Sequence, residues 1–528
     1  MGDAGPSSPS LLTGRAGLPS ANPTESFWQT SHPNTLADHR STAALPDGAD
    51  VVVIGTGISG TFATHELLTR AAAAAATDTD HAALDVVVLE ARTTCSAATG
   101  RNGGHCQPLV HAERSAIIDF EMRNYEHIRE LVERHDVPCD FRRIPGVLGF
   151  WNRTYFDEAK AALDSALVTA EHRSLVKVVE GPEELERLRL TGGVVGAIVQ
   201  TVAASLSPYK LMVWLWDRMV QEYEREKKSE EGGGGGGARP PTKQVTLNLQ
   251  TNTPVTSIEK VQGGDGGVGW TVKTSRGNVR AKHVVLATNG YTSHLVPEFE
   301  GLISPVQAQM SALLPPDGSP FREHLMPVSY GMMGVEGQDR VMSDYLVQNP
   351  ILPPSGEDVV AVGRGGHLMF GGGRAQARGH GVGVSDDDYV DADAEIYLRS
   401  LPERLNLVEA GASTAAGTSK GGLLDIAASW TGIIGSSADG HPWVGGVPDQ
   451  DGLFVAAGYS GHGMTNAALC GRHVAQLALT SLNEGRDWKA LQAQGVELAE
   501  QGNGGGGGVP REYVITQQRM DAARGPRH

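Results

Sequence analysis

Cysteine is scarce in this chain: Cys95, Cys106, Cys139 and Cys470 are the only four, and none sits in a C-x-x-C pair. That leaves no disulfide framework and no cysteine-based zinc site, so no metal is expected. Free thiols suit a reducing compartment. Basic charge is also short. Forty-four Lys and Arg face 61 Asp and Glu, for a formal net charge of −17. Nucleic acid and anionic lipid are held by Lys and Arg, which excludes both as partners and leaves the acid excess to serve solubility. No apolar run approaches the roughly 18 residues that cross a bilayer. The first forty residues lack the charged-then-apolar layout of a secretory signal, and Gly525-Pro526-Arg527-His528 is not a Ser-Lys-Leu address. A cytoplasmic protein without a membrane partner is therefore expected.

What is present is length and punctuation. The 528 residues, 40% of them hydrophobic, suffice for two or more domains with large cores. The organising stretch is Asp50-Val51-Val52-Val53-Ile54-Gly55-Thr56-Gly57-Ile58-Ser59-Gly60. A buried parallel strand runs into three glycines at G-x-G-x-x-G spacing and then into a helix, the setting that the dinucleotide fingerprint requires. Gly55 permits the tight turn, Gly57 lets a pyrophosphate approach the backbone, and Gly60 lets helix and strand pack closely. A second apolar strand ends Val88-Leu89-Glu90, where the fingerprint places an acid on the ribose hydroxyls. Glu90 lies 30 residues beyond Gly60 instead of about 20, an excess that the alanine-rich stretch after the first helix absorbs.

Along the chain, residues 1–44 read as a flexible arm on which Phe27-Trp28 has the means to dock. Residues 45–135, 191–300 and 429–482 are assigned to a discontinuous nucleotide domain, and 136–190 with 301–428 to a second discontinuous domain. Residues 483–528 read as a loose tail. Gly232–Gly237 is expected to be a flexible surface insertion. Two further glycine-rich places stand out. Thr99-Gly100-Arg101-Asn102-Gly103-Gly104-His105 is too glycine-rich for a helix and too polar for a core strand. Gly458-Tyr459-Ser460-Gly461-His462-Gly463-Met464 follows an apolar strand and opens another helix.

Together these stretches resemble the D-amino-acid oxidase-like superfamily of FAD-dependent oxidoreductases, and most closely its γ-glutamylputrescine oxidoreductase-like branch. The resemblance covers roughly residues 26–482. It rests on Phe27-Trp28, the Gly55–Gly60 turn, Leu89-Glu90-Ala91-Arg92 and the family's A-S-G-R-N-G-G element, here Ala98 to Gly104 with Thr99 in place of Ser. Ala287-Thr288-Asn289-Gly290, Asp439-Gly440-His441-Pro442 and Gly458 to Met464 complete it. It implies an α/β fold, α+β overall, with an FAD-binding Rossmann-like domain on a parallel sheet. A discontinuous substrate domain on a mostly antiparallel sheet with helices completes the implied architecture. It also implies that FAD is held by Gly55, Gly57, Ile58, Ser59, Gly60, Glu90, Ala91, Arg92, Thr99, Gly100, Arg101, Asn102, Gly103, Gly104, Val255, Ala287, Thr288, Gly458, Gly461, His462, Gly463 and Met464. Gly432 stands where some relatives carry a linking Cys, so attachment is expected to be non-covalent; a histidyl link through His105 is the lesser possibility.

The implied chemistry is oxidation of a C–N bond in a small amine or amino acid, by hydride transfer to flavin N5. The imine then hydrolyses, and O₂ or another acceptor reoxidises the flavin. Such a site depends on positioning more than on an acid-base dyad. His462 and His105 are the candidates for tuning charge beside the flavin. Arg364 and Arg374, flanking the strand at His367–Gly371, are the candidates for a substrate carboxylate, with Tyr330 and Tyr345 as aromatic walls. Two other readings stay open at this point: an FAD protein with a structural or regulatory role, and an NAD(P)-dependent Rossmann enzyme.

Overall fold

Val51, Val52, Val53 and Ile54 are buried on both faces of their strand, as the unbroken apolar run requires. The computed structural model describes residues 15–77, 83–111, 113–165, 167–224, 245–262, 268–350, 365–408, 422–482, 487–500 and 508–525. Its strands are β1 (Gly48–Ile54), β2 (Leu84–Leu89), β3 (His105–Cys106), β4 (Arg142–Phe150), β5 (Val176–Val179) and β6 (Gly196–Ser205). Then come β7 (Val245–Gln250), β8 (Val255–Gln262), β9 (Val268–Thr274), β10 (Gly277–Leu286), β11 (Ile303–Leu313) and β12 (Ser329–Met333). The last are β13 (Ser343–Pro350), β14 (Gly365–Gly372), β15 (Ile426–Ser437), β16 (Trp443–Gly446) and β17 (Leu453–Ala457).

They form two sheets. The first runs β16-β17-β10-β1-β2-β7, with the β8-β9 hairpin joined to β10. Its centre, β17-β10-β1-β2-β7, is parallel. The second runs β15-β11-β14-β13-β12-β4-β6-β3, with β5 on β6, and is antiparallel except where β12 meets β4. The mixed α/β expectation therefore holds. Helices Ile58–Thr77 and Ala467–Leu482 pack together behind the first sheet; a Cβ at Gly471 would stand 2.2 Å from the Ser59 carbonyl oxygen, so only glycine permits that approach.

Three strands cross the expected division of the chain. β3, within 45–135, β6, within 191–300, and β15, largely within 429–482, all lie in the second sheet. Apolar patterning marks a segment as a strand without naming its partner: β6 finds β4 and β5, and β15 finds β11.

The two ends are also more tightly held than the sequence suggests. Trp28 is 2% exposed and its indole N–H donates to the Asn102 carbonyl at 2.6 Å. Near the other end Tyr513 is 1% exposed, and the Arg519 guanidinium lies 3.8 Å over the Trp443 ring while pairing with Asp439. The Gly232–Gly237 insertion, Arg364, residues 1–14 of the arm and 501–507 of the tail lie outside the described residues. Among the described residues no helix is long and apolar enough to cross a membrane, and no group of three or more His, Cys, Asp or Glu is placed to hold a metal ion.

Candidate active site

The turn after β1 is built for close approach. Gly55 has φ +108°, and a Cβ there would lie 2.8 Å from the Ala287 carbonyl oxygen; at Gly60 it would lie 1.9 Å from that of Gly55. Helix Ile58–Thr77 begins at this turn. The Ile58 N–H donates to Thr99 Oγ1 at 3.0 Å, whereas those of Gly57 and Ser59 have no partner among the described residues. Unpaired N–H groups at a helix N-terminus suit an anion.

Register explains why the long spacing to Glu90 is harmless. Ile54 pairs with Leu89, so Glu90 emerges beside Gly55 whatever the connection contains. The Glu90 carboxylate is buried, and it accepts from Thr56 N at 3.0 Å, Thr56 Oγ1 at 2.6 Å and Arg92 N at 3.0 Å. It thus braces the turn as well as facing the cavity.

That cavity, of about 300 Å³, runs along the carboxyl ends of β10, β1 and β2 to the second sheet. Of the residues expected at a flavin, Gly55, Gly57, Ile58, Ser59, Glu90, Ala91, Arg92, Thr99, Arg101, Asn102, Val255, Ala287, Thr288, Gly461, His462, Gly463 and Met464 line it. Gly60, Gly100, Gly103, Gly104 and Gly458 stand behind the lining. Their absent side chains answer to protein: a Cβ at Gly100 would lie 2.1 Å from the Cys95 carbonyl oxygen, and one at Gly104, φ +83°, 1.8 Å from that of Leu206.

Arg101 is nearly fully buried. Its Nη1 donates to the Thr431 carbonyl at 2.7 Å and its Nε stands 3.3 Å from Asp387, which also takes Arg92. Burial lowers the Arg101 guanidinium to about 10 against the pull of Asp387. A Cβ at Gly432 would meet that of Arg101 at 3.2 Å, so this arginine occupies the space a linking side chain would need.

The two histidines part company. His462 is exposed at the cavity wall, and desolvation by the protein around that wall lowers its imidazole below 6.5. His105 lies outside the lining, hydrogen-bonded through Nε2 to Ser329 Oγ at 2.9 Å and stacked on Tyr345 with ring centres 5.9 Å apart. Burial lowers it to about 4. Both imidazoles are neutral at pH 7. Beside His462, the N–H groups of Gly461, Gly463 and Met464 have no partner among the described residues. They give this end of the cavity a second cluster of free donors.

The second sheet supplies the opposite wall: Gln309, Met310, Val341, Ser343, Tyr345, Gly372 and Arg374. Arg374 is half-buried, and its Nε donates to the His380 carbonyl at 3.5 Å. It forms no salt bridge among the described residues; burial lowers its guanidinium, with Asp339 opposing. Gln309 is 4% exposed, and its Nε2 donor is unsatisfied. Tyr345 lines the cavity, its hydroxyl accepting from Gly103 N at 2.6 Å. Tyr330 does not line it; its hydroxyl donates to Leu188 in a separate core.

Sequence reasoning gave no site role to six contributors. Gln309 is one of four polar residues in its strand, with Ser304, Gln307 and Ser311, and Asp387 one acid in an acidic run. Gly17, Leu18 and Pro19 also line the cavity from a segment that carries no motif. Asn289 had a usable signal, an asparagine in a strand-to-glycine turn. It adopts φ +44°, and its Oδ1 accepts from Gly458 N at 3.0 Å, tying the turn after β10 to the one after β17.

Comparison with known proteins matches residues 50–477 to DAO, FAD dependent oxidoreductase. A probable oxidoreductase, OrdL, of Rhizobium meliloti (strain 1021) is 22% identical over 453 residues, covering 83% of this chain and 84% of that protein. Glycine oxidase from Geobacillus kaustophilus superposes with a TM-score of 0.55 at 18% identity, covering 84% of this chain and 97% of its own. L-Proline dehydrogenase from P. horikoshii gives 0.54 at 18%, covering 84% and 95%. L-Amino acid deaminase from Proteus myxofaciens gives 0.53 at 16%, covering 90% and 96%. These structures share the fold.

Proposed function

The chain belongs to the DAO family of FAD-dependent oxidoreductases, and from that premise we propose that it oxidises the C–N bond of a small amine that carries a carboxylate, an amino acid in the broad sense. One observation carries the choice of substrate: Arg374 faces the cavity as a half-buried cation with no ion pair among the described residues. A guanidinium is the side chain best shaped for a carboxylate. Gln309, with an unsatisfied Nε2 in the same wall, is a second donor for the same ligand. Glycine oxidase, L-proline dehydrogenase and L-amino acid deaminase, which share the fold, are named for amino-acid substrates, which agrees with this reading.

The donor set fits FAD. Unpaired N–H groups at Gly57 and Ser59 and the cations Arg92 and Arg101 suit a pyrophosphate, while Glu90 and Val255 line the same region. The unpaired N–H groups of Gly461, Gly463 and Met464 suit the anionic edge of a reduced ring. With Gly432 against Arg101 and His105 engaged by Ser329, the attachment is non-covalent. All four cysteines are buried and free, which favours a reducing, cytoplasmic setting.

When bound, FAD supplies the acceptor for the hydride that leaves the carbon bearing the nitrogen. The protein's part is to place that carbon. Arg374 fixes the carboxylate, Tyr345 and Met310 wall the substrate, and neutral His462 leaves the substrate amine free of a competing cation. Among the described residues, no carboxylate other than Glu90, already committed to Thr56 and Arg92, is on the cavity wall. A substrate with one anionic group fits this wall better than a polycation.

The test is anaerobic reduction of the purified flavoprotein with amines, N-methyl amino acids and D-amino acids, followed by assay of hydrogen peroxide on admitting air. Bleaching by carboxylate-bearing members is expected. Bleaching by simple amines with none by their carboxylated counterparts would overturn the reading.

A further inference from the structure

The family match begins at residue 50, yet Gly17, Leu18 and Pro19 line the cavity. The segment reaches it by ties on two sides. On one side Ala16 N donates to Ser293 Oγ at 3.0 Å, His294 Nδ1 meets the Ala16 carbonyl at 3.2 Å, and Arg15 Nε donates to the Ser293 carbonyl at 3.0 Å. Ser293 and His294 belong to the helical turn that follows β10. On the other side Arg92 Nη1 donates to the Ser20 carbonyl at 3.3 Å, and Arg101 Nη2 to that of Thr24 at 2.7 Å. Arg92 follows β2. Since β10 and β2 flank β1 on opposite sides, a chain tied at both must pass over the carboxyl end of β1, where the G-x-G-x-x-G turn lies.

The loop before Tyr389 anchors the same segment from the second sheet's side. Gly17 N donates to Ser385 Oγ at 3.0 Å, and Thr24 N and Oγ1 both donate to the Asp387 carbonyl, at 2.7 and 2.9 Å. The Asp387 side chain, 1% exposed, holds Arg92 and Arg101. The middle of the span is open by contrast: Leu18 is 38% exposed.

We propose that Arg15–Thr24 is a strap that forms the outer wall of the dinucleotide site, so that the adenosine diphosphate half of the cofactor enters and leaves only when the strap lifts. This rests on the FAD reading above. The strap encloses by covering, adding a wall over the bound nucleotide where the β1 turn supplies the floor. Its ties are hydrogen bonds, to Ser293, His294, Ser385 and Asp387 and from the Arg92 and Arg101 guanidiniums, and of its apolar side chains Ala16 is buried while Leu18 is not.

Ser385 provides the means to lock it. An ideal Cβ at Gly17 would stand 3.6 Å from the Ser385 Cβ, inside the roughly 3.5–4.5 Å that a disulfide spans. The four native cysteines are buried and do not compete. The experiment uses the holoenzyme of the double variant Gly17→Cys, Ser385→Cys and follows FAD release after dilution by the fluorescence of free flavin. The oxidised form is expected to release FAD about tenfold or more slowly than the same protein after reduction, as a closed lid does. A second variant, Arg15→Ala with Ser293→Ala, is expected to release it several-fold faster than wild type. Equal rates for the oxidised and reduced forms, with the bond verified by mass, overturn the strap, and so does a cysteine pair that oxidant fails to join. Protein that purifies without any flavin overturns the FAD reading instead.

Discussion

Ser59 and Tyr459 share a hydrogen bond of 2.6 Å across 400 residues of chain. It fastens the helix that opens at the β1 turn to the glycine-rich turn that follows β17, and both residues line the cavity. Burial pushes the Tyr459 phenol well above its ordinary value, so it stays protonated. The variant Tyr459→Phe keeps the ring and strands the Ser59 hydroxyl. It is expected to cost about 1 kcal/mol of stability and to weaken FAD binding, since the two turns are no longer fixed to each other. Thermal melts of apo and holo protein check this; a variant whose two melts both match wild type would show the bond to be incidental.

Gly57→Val places a branched side chain on the cavity wall, its Cβ already 3.0 Å from Thr99 Oγ1. The expected product is a folded protein that purifies without FAD, judged by its far-UV circular dichroism and its visible absorption. A fully yellow variant contradicts the placement of the pyrophosphate beside Gly57.

These two turns were legible because each needs residue types that little else explains: a buried strand, then glycines, then a helix. Glu90 was legible despite its spacing, because strand register and not loop length fixes its place. The loop from Gly100 to Gly104 shows the limit. Glycine marks a close approach to the backbone, and the approaching group at Gly100 and Gly104 is the protein's own chain at Cys95 and Leu206. Partner choice was hidden in the same way for β6 and β15, whose apolar patterns fit either sheet. Gln309, Asp387 and Gly17–Pro19 were out of reach, because their roles come from what they face and not from their neighbours in the chain.

Arg374→Ala removes a cation that forms no salt bridge among the described residues. For a carboxylate-bearing substrate KM is expected to rise by about 10–100-fold, the worth of ~1.5–3 kcal/mol for a hydrogen bond to a charged group. The corresponding amine without a carboxylate should show an unchanged KM. Steady-state kinetics on such a pair checks it, and an equal loss on both would remove Arg374 from substrate recognition.

Glu121 carries a pH dependence of its own. The side chain is 2% exposed, and it accepts from Leu109 N and from Asn466 Nδ2, each at 2.7 Å. Burial raises its carboxyl from 4.5 to about 7, with those two bonds opposing. The native state therefore holds a proton that the unfolded chain has given up between these values. Stability from this group is complete below pH 4.5 and is lost as pH rises through about 7. Glu121→Gln is expected to abolish that loss, leaving the variant about 1–3 kcal/mol less impaired at pH 8. Denaturant melts of both proteins across this range test it, and parallel curves would refute the shift.

The central strand β1 bears a cost in time. Its Val53 lies opposite Val285 on β10, so one side of an unbroken Val-Val-Val-Ile run has no partner until the ribosome has added roughly 230 more residues. At ~5–20 residues per second that is on the order of ten to fifty seconds during which a sticky strand edge stands open. The nascent chain is thus exposed to misassociation through that edge while the first strands of the second sheet are being made.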